Sequence, residues 1–473
     1  MRVASLIIQL KNVHCAGVRK KSRYIALMPT KKTENSLTSR AKRYAKTSIG
    51  MAKLGTTLGA EKYLGTKVDR VKHAAELRAA LGGLKGPLMK VAQILGTIPD
   101  LVPAEYASAF QELQSNAPSM GWPFVKRRMS AELGADWESK FTEFSRDAVA
   151  AASLGQVHKA VDGKGRTLAC KLQYPDMMAA VEADLQQLKI LLAVFERIDR
   201  AVDTRLVQTE LAERLYEELD YRREAKHMKL FAHMLADVPH VNVPQVVDAL
   251  STDRLLTMTW LDGKHLDTLA ARSLAERNAV AETMFNAWYV PFYNYGVIHG
   301  DPHLGNYSFA DDLSVNLLDY GCIRVFKPAL VGGVIKLYHA VRTGDKDMAV
   351  DAYAAWGFAN PSKALVEILN IWASFIMAPL LEDRPRLIEE TNTGQYGRET
   401  ANKVHAELRK IGGVAVPREF VFMDRAAVGL GSVFMRLKAE VNWHQRFNAL
   451  TEGFDERALT ARQAAALAKV GLD

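Results

Sequence analysis

The stretch from His299 to Gly321, HGDPHLGNYSFADDLSVNLLDYG, constrains this chain more than any other. Asp301 is followed by Asn306, then by an apolar run, then by Asp319-Tyr320-Gly321. That order matches the needs of phosphoryl transfer. One carboxylate positions the attacking group, while an Asn carbonyl and a second carboxylate hold metal that bridges nucleotide phosphates. An all-oxygen pair suits Mg²⁺, a hard ion that keeps several waters and shares phosphate oxygens. The apolar run Leu313–Leu318 predicts a short strand that ties the two halves together rigidly.

Such a site needs a cation for the nucleotide's inner phosphates, and the sequence upstream supplies one. From Phe141 the pattern reads strand, turn, strand, turn, strand, with Asp162-Gly163-Lys164-Gly165 as the hairpin turn between 156–161 and 167–172. Lys171 falls on the second of these strands, between Cys170 and Leu172, where a buried ammonium requires a partner charge. The preceding turn, AVAAASLGQV at 148–157, stands where a glycine-rich phosphate loop would stand but is rich in alanine. Ala150, Ala151, Ala152, Ser153, Gly155 and Gln156 are the candidates for nucleotide contact, since small residues let backbone N–H groups approach phosphate.

Helical periodicity places carboxylates after that sheet. A helix is predicted at Val181–Ile198 and a long one at Arg205–Leu235. On the second, Glu217, Asp220, Tyr221 and Glu224 share a face, and Glu218 points away from Glu224. A strand at Leu255–Trp260 leads into Leu261-Asp262-Gly263, placed like a hinge between lobes. Two helices are predicted over 266–298, the second delivering the chain to His299. Beyond Gly321 helices dominate, near 328–343, 346–356, 362–378, 384–409, 418–440 and 456–470.

Charge separates the front of the chain from the rest. Residues 1–50 carry 12 Lys/Arg against Glu34 alone, whereas the remaining residues are close to neutral, so nucleic-acid binding by the folded body is not expected. The basic lead-in has three readings: a mitochondrial presequence, an over-extended start with Met28 as the first true residue, or a segment touching anionic lipid. Three cysteines without pairing or ligand spacing give neither a disulfide framework nor a zinc site, and a reducing compartment fits. The most apolar helix, Ala364–Leu381, contains Glu367, Asn370 and Pro379 and reads as a core helix rather than a membrane span. Ahead of the sheet, helices are predicted near 68–81, 84–103, 104–113 and 122–133. Lys90 and Gln93 share one face of the second.

These parts together resemble the UbiB family, the protein-kinase-like atypical kinases tied to ubiquinone biosynthesis. The resemblance covers about residues 60–345 and rests on AAASLGQVH at 150–158, ELDYRREA at 218–225, HGDPHLGN at 299–306 and LDYG at 318–321. It implies an α+β, protein-kinase-like two-lobed fold with an N-terminal helical extension. The domains would be a basic lead-in over 1–59, the extension over 60–140, a β-rich small lobe with inserted helices over 141–262 and a helical large lobe over 263–473. The family's K-x-G-Q motif, on an extension that folds over the active site and restrains protein phosphorylation, matches Lys90-Val91-Ala92-Gln93, with Ala92 in place of Gly, a change that favours helix; the resemblance makes Lys90 and Gln93 candidates for nucleotide contact as well as regulation. Its E-x-D motif falls on Glu218 and Asp220, implying a regulatory role facing the extension's lysine.

The mechanism so implied puts ATP between the lobes. Lys171, held by Glu224, contacts the inner phosphates, the alanine-rich loop covers them, Asn306 and Asp319 hold Mg²⁺, and Asp301 positions the nucleophile. ATPase or small-molecule kinase activity is expected, with quinone-synthesising enzymes, a quinone precursor or anionic lipid as partners. The expected location is the bacterial cytoplasm or its membrane face, or the mitochondrial matrix if the lead-in is a presequence. Two alternatives stay open: a phosphotransferase of the aminoglycoside or choline kinase type, and a nucleotide-binding scaffold without catalysis.

Overall fold

The computed structural model describes residues 120–473 apart from 152–153, 199–211, 214, 359, 391–394, 412–413, 415–416 and 473. Lys90, Gln93, Ala152, Ser153 and the helices predicted before residue 120 therefore lie outside the described residues.

The first described helix is α1 (Trp122–Leu133), with Pro123 in its first turn, where the missing N–H costs nothing. The strands β1 (Phe141–Phe144), β2 (Ala150–Ala151), β3 (Gly155–Asp162) and β4 (Thr167–Gln173) follow. They join β6 (Leu255–Thr259) in one antiparallel sheet of order β1-β3-β4-β6, with β2 also paired to β3. The β3–β4 turn is tied by Asp162, whose carboxylate accepts the Lys164 and Arg166 backbone N–H groups.

The pleat gives this sheet two environments. On one face Leu168, Cys170, Leu172 and Leu255 join Val125, Met129 and Trp137 and the start of α2 (Met177–Ile198) in the small-lobe core. On the other, Ala169, Leu256 and Met258 belong to the core shared with the large lobe. Ala150, Val157, Lys171 and Leu256 are opposite one another in register and so lie on that second face.

The predicted long helix 205–235 is interrupted. Residues 215–219 are helical, but Asp220 leaves the helical region at φ −93°, ψ 82° and caps α3 (Tyr221–Met234) by accepting the Arg223 N–H. A side chain able to cap competes with helix continuation, so the phase calculated between Glu218 and Glu224 for one uninterrupted helix does not apply.

The large lobe begins with a 3₁₀ turn at Leu266–Ala271 instead of the first predicted helix. α4 (Leu274–Tyr295) follows, opened by a Ser273–Glu276 capping box and closed by Gly296 at φ 64°. β7 (Val297–His299) pairs with β10 (Ile323–Val325). β8 (Tyr307–Phe309) and β9 (Val315–Leu317) form a hairpin, with β5 (Val241–Asn242) on the far side of β9. The predicted strand Leu313–Leu318 is thus shorter: Leu313, at φ 68°, belongs to the turn.

Helices complete the lobe: α5 (Pro328–Thr343), α6 (Lys346–Ala355), α7 (Lys363–Leu381), α8 (Gln395–Lys410), α9 (Arg418–Leu437), α10 (Trp443–Thr451) and α11 (Glu456–Val470). α8 begins later than predicted, because Arg386 instead forms a β-bridge with Val441. α10, capped by Asn442, is not legible as a separate helix in the sequence. Among the described residues α7 alone is long and apolar enough to cross a membrane, and 44% of its most apolar window is buried. Leu369, Trp372 and Met377 pack into the large-lobe core, which is the placement predicted for this segment.

Candidate active site

Lys171 reaches two carboxylates at once. Its Nζ lies 2.6 Å from Glu224 Oε1 and 3.1 Å from Asp319 Oδ2. Asp220 makes this meeting possible by starting α3 where it does: Glu224 then sits in the first turn, directed at β4. The pairing of Lys171 with Glu224 inferred from the sequence is therefore present, and Asp319 joins it.

The three charges are not equivalent. Burial disfavours the ammonium, but Asp319 and Glu224 hold Lys171 well above the usual lysine range. Burial raises Glu224 above the ordinary carboxylate range in spite of Lys171. Burial also opposes the Asp319 carboxylate, yet Lys171 and the Gly321 N–H hold it well below that range. Exposure separates the two acids: the Glu224 side chain is 2% exposed and that of Asp319 37%. Asp319 is thus the carboxylate held more firmly in its charged form, and the more exposed of the two. Its Oδ1 accepts the Gly321 N–H at 3.0 Å, which fixes its direction.

The loop carrying Asp301 and Asn306 is held to Asp319 through the backbone. Buried His299 places Nε2 2.7 Å from the Asp319 carbonyl oxygen, and its Nδ1 accepts the Asp301 N–H at 3.2 Å. Gly300 N–H donates to the Cys322 carbonyl and Leu318 N–H to the Asn306 carbonyl. Asn306 donates its side-chain amide to the Asp301 carbonyl at 2.9 Å and to Asp301 Oδ2 at 3.2 Å. With the amide nitrogen so used, the side-chain Oδ1 of Asn306 is the atom that would meet a cation.

Asn306 and Asp319 fit Mg²⁺ by donor chemistry: two hard oxygens, with room in the shell for water and phosphate. Among the described residues no group of three or more His, Cys, Asp or Glu side chains is arranged for a metal. A cation here would draw most of its shell from nucleotide and water.

The alanine-rich turn is a hairpin. Ala150 and Ala151 pair with Val157 and Gln156, and exposed Ala150 lies in the same cross-sheet row as Lys171. Gly155 is required for close packing: a Cβ there would stand 2.5 Å from the Leu172 carbonyl oxygen and 2.8 Å from the Tyr221 hydroxyl. Gln156 corrects the sequence reading. It pairs with Leu172, one residue out of phase with Lys171, so the pleat turns it to the other face of the sheet. There it is fully buried and bonds to the backbone of Met120 rather than facing the cleft.

Glu218 and Asp220 sit beside the site but differ in role. Glu218 Cγ approaches Gly321, being 4.0 Å from where a Cβ would stand. Asp220 is occupied as the α3 cap. Two residues with no motif signal complete the surroundings. Glu217 binds Arg223 at 3.2 Å and Arg324, on β10, at 2.8 Å, joining the helix before α3 to the strand after Asp319. His227 donates from Nδ1 to the Tyr320 carbonyl at 3.1 Å. Its helical spacing of three from Glu224 is the one cue the sequence offered.

Comparison with known proteins gives a consistent result. Residues 112–353 match the family described as ABC1 atypical kinase-like domain. The chain is similar to Activity of bc1 complex kinase 7, chloroplastic, of Arabidopsis thaliana, with 31% identity over 284 residues, 59% of this chain and 41% of that protein. It is similar to Atypical kinase coq-8, mitochondrial, of Caenorhabditis elegans, with 26% identity over 397 residues, 81% of this chain and 51% of the relative. A solved structure, the complex of Rv3197 with erythromycin from Mycobacterium tuberculosis, superposes with a TM-score of 0.57 at 26% identity. It covers 81% of this chain and 95% of that one. The chain spans about half the length of these curated relatives.

Proposed function

Because the chain belongs to the ABC1 atypical kinase-like family, which includes the COQ8 and AarF-domain kinases, we propose that it binds Mg-ATP between its lobes. We propose further that it acts as an atypical kinase or ATPase in support of lipid-quinone biosynthesis. The observation that carries this reading is the convergence of Lys171, Glu224 and Asp319, joined through His299 to Asp301 and Asn306.

In this reading Lys171 binds the inner phosphates, with Glu224 orienting its ammonium. Asn306 and Asp319 hold Mg²⁺, which when bound neutralises charge developing on the transferred phosphoryl group. The Ala150–Ala151 hairpin covers the phosphates. Asp301, fixed by Asn306 and the His299 ring, directs the nucleophile, which is water or the hydroxyl of a small or lipid-like acceptor. Lys90 and Gln93, with Glu218 and Asp220, restrain access from the N-terminal side, as the K-x-G-Q resemblance implies. The partners are quinone-synthesising enzymes, a quinone precursor or anionic lipid, met at a membrane surface in the bacterial cytoplasm or the mitochondrial matrix.

Asp319→Asn tests the core of the proposal. It should abolish the rise in melting temperature that Mg-ATP produces, and an unchanged rise would sink the assignment. ATP hydrolysis by wild type and Asp301→Asn, with and without anionic vesicles, tests turnover. Quinone content of a deletion strain tests the biological role.

A further inference from the structure

Gln156 is a fully buried amide that the mechanism above does not use. Its Oε1 accepts the Met120 N–H at 2.7 Å and its Nε2 donates to the Met120 carbonyl at 3.1 Å. The side chain thereby pairs both backbone groups of one residue, as a neighbouring strand would. The second Nε2 hydrogen is directed at His158 Nε2, 2.8 Å away. His158 Nδ1 lies 2.8 Å from the Ser145 carbonyl oxygen, an acceptor only, so the ring proton sits on Nδ1 and Nε2 is left as an acceptor. Phe144 stacks on the imidazole with centroids 5.5 Å apart. Every polar atom of the Gln156 amide is satisfied, and His158 fixes which way the amide faces.

Both ends of this clamp matter. Gln156 is paired across the hairpin with Ala151, and the Val149 N–H closes the same hairpin on the Val157 carbonyl at 2.9 Å. Met120 stands two residues before α1, whose Val125 and Met129 lie in the small-lobe core. A purely apolar side chain would fill the same volume without the desolvation cost of an amide. What the amide adds is a fixed distance between the chain entering α1 and the alanine-rich hairpin.

We infer that Gln156 is a positioning residue: by clamping Met120 it sets the height of the Ala150–Ala151 hairpin over the nucleotide and couples that hairpin to the chain before α1. This rests on the proposed role of the hairpin as a phosphate cover. Displacement of Met120 then loosens the grip on the nucleotide, transmitted through the Gln156 amide.

The test uses the full chain. Gln156→Met keeps the volume and removes the pairing, whereas Met120→Pro keeps Gln156 and deletes the N–H it accepts. Each should raise the Kd of Mg-AMPPNP about tenfold, as expected for one or two lost buried hydrogen bonds. Each should also speed hydrogen exchange at the Val149 amide and raise the KM for ATP rather than lower kcat. If both variants melt earlier but keep the wild-type Kd and Val149 protection, Gln156 is only a packing residue and the inference is overturned. Lys171→Met separates this from failure of the nucleotide reading. If that variant leaves the Mg-AMPPNP affinity unchanged, the nucleotide reading falls. The clamp is then judged by Val149 exchange alone, with acceleration upholding it and continued protection overturning it.

Discussion

The Nε2 of His299 lies 2.7 Å from the carbonyl oxygen of Asp319, while the Nδ1 of the same ring accepts the N–H of Asp301. One buried imidazole therefore holds the backbone of the residue proposed to direct the nucleophile against that of the residue proposed to hold metal. His299→Phe would leave a part-buried donor and a part-buried acceptor without this partner. The expected loss is about 2–4 kcal/mol of folding stability, with ATP turnover reduced more than nucleotide binding. Chemical denaturation and steady-state kinetics on the same preparation check both effects.

Lys171 is the only cation the described structure places between Glu224 and Asp319. Removing it by Lys171→Met should destabilise the fold by about 3–5 kcal/mol, since two acids then face each other with no cation. Glu224→Gln should cost less, because its amide oxygen can still accept from Lys171. A melting temperature lower for Glu224→Gln than for Lys171→Met would contradict this ordering.

His227 gives the protein a defined acid sensitivity. Burial, helped by the charges of Arg223 and Arg324, pulls it down to about 3, against 6.5 for an unconstrained histidine. The unfolded chain thus takes up a proton as pH falls through about 6.5 while the folded protein does not, so stability is lost from there down towards pH 3. The slope contributed is up to about 1.4 kcal/mol per pH unit. His227→Gln should flatten the decline between pH 6.5 and 4, as measured by urea midpoints across that range.

Two glycines of the small lobe should respond differently to alanine. Gly155→Ala drives a methyl group to 2.5 Å from the Leu172 carbonyl oxygen and 2.8 Å from the Tyr221 hydroxyl. The cost should be about 1–3 kcal/mol, and weaker nucleotide binding should accompany it as the hairpin shifts. Gly163→Ala meets nothing within 4 Å and should be close to neutral. Equal melting temperatures for the two variants would show that β3 and β4 can separate at no cost.

Much of the architecture is legible in the letters because it rests on short-range rules. Period-two patterning and the Asp162–Gly165 turn place β3 and β4 within a residue or two. Apolar spacing, with Pro328 and Gly344 at its ends, marks α5. Two helix readings failed where hydrogen bonds outside the helical ladder override periodicity. Asp220 caps α3 and breaks a predicted continuous helix. Arg386 takes a bridge to Val441 where a helix was predicted.

The same division runs through His299–Gly321. Order and spacing alone specify an Asp, an Asn and a second Asp suited to phosphoryl transfer, because residue type dictates which groups can bear charge and bind a hard cation. They do not specify which carboxylate is the more exposed, or that both meet one lysine arriving from a distant strand. Nor do they specify the part of His299, whose Nε2 meets the Asp319 carbonyl only once β7 and β10 pair. Gln156 is the sharpest case. Its neighbours in sequence suggest a nucleotide contact, but a strand alternates faces at every residue, and the register with Lys171 turns it towards Met120 instead.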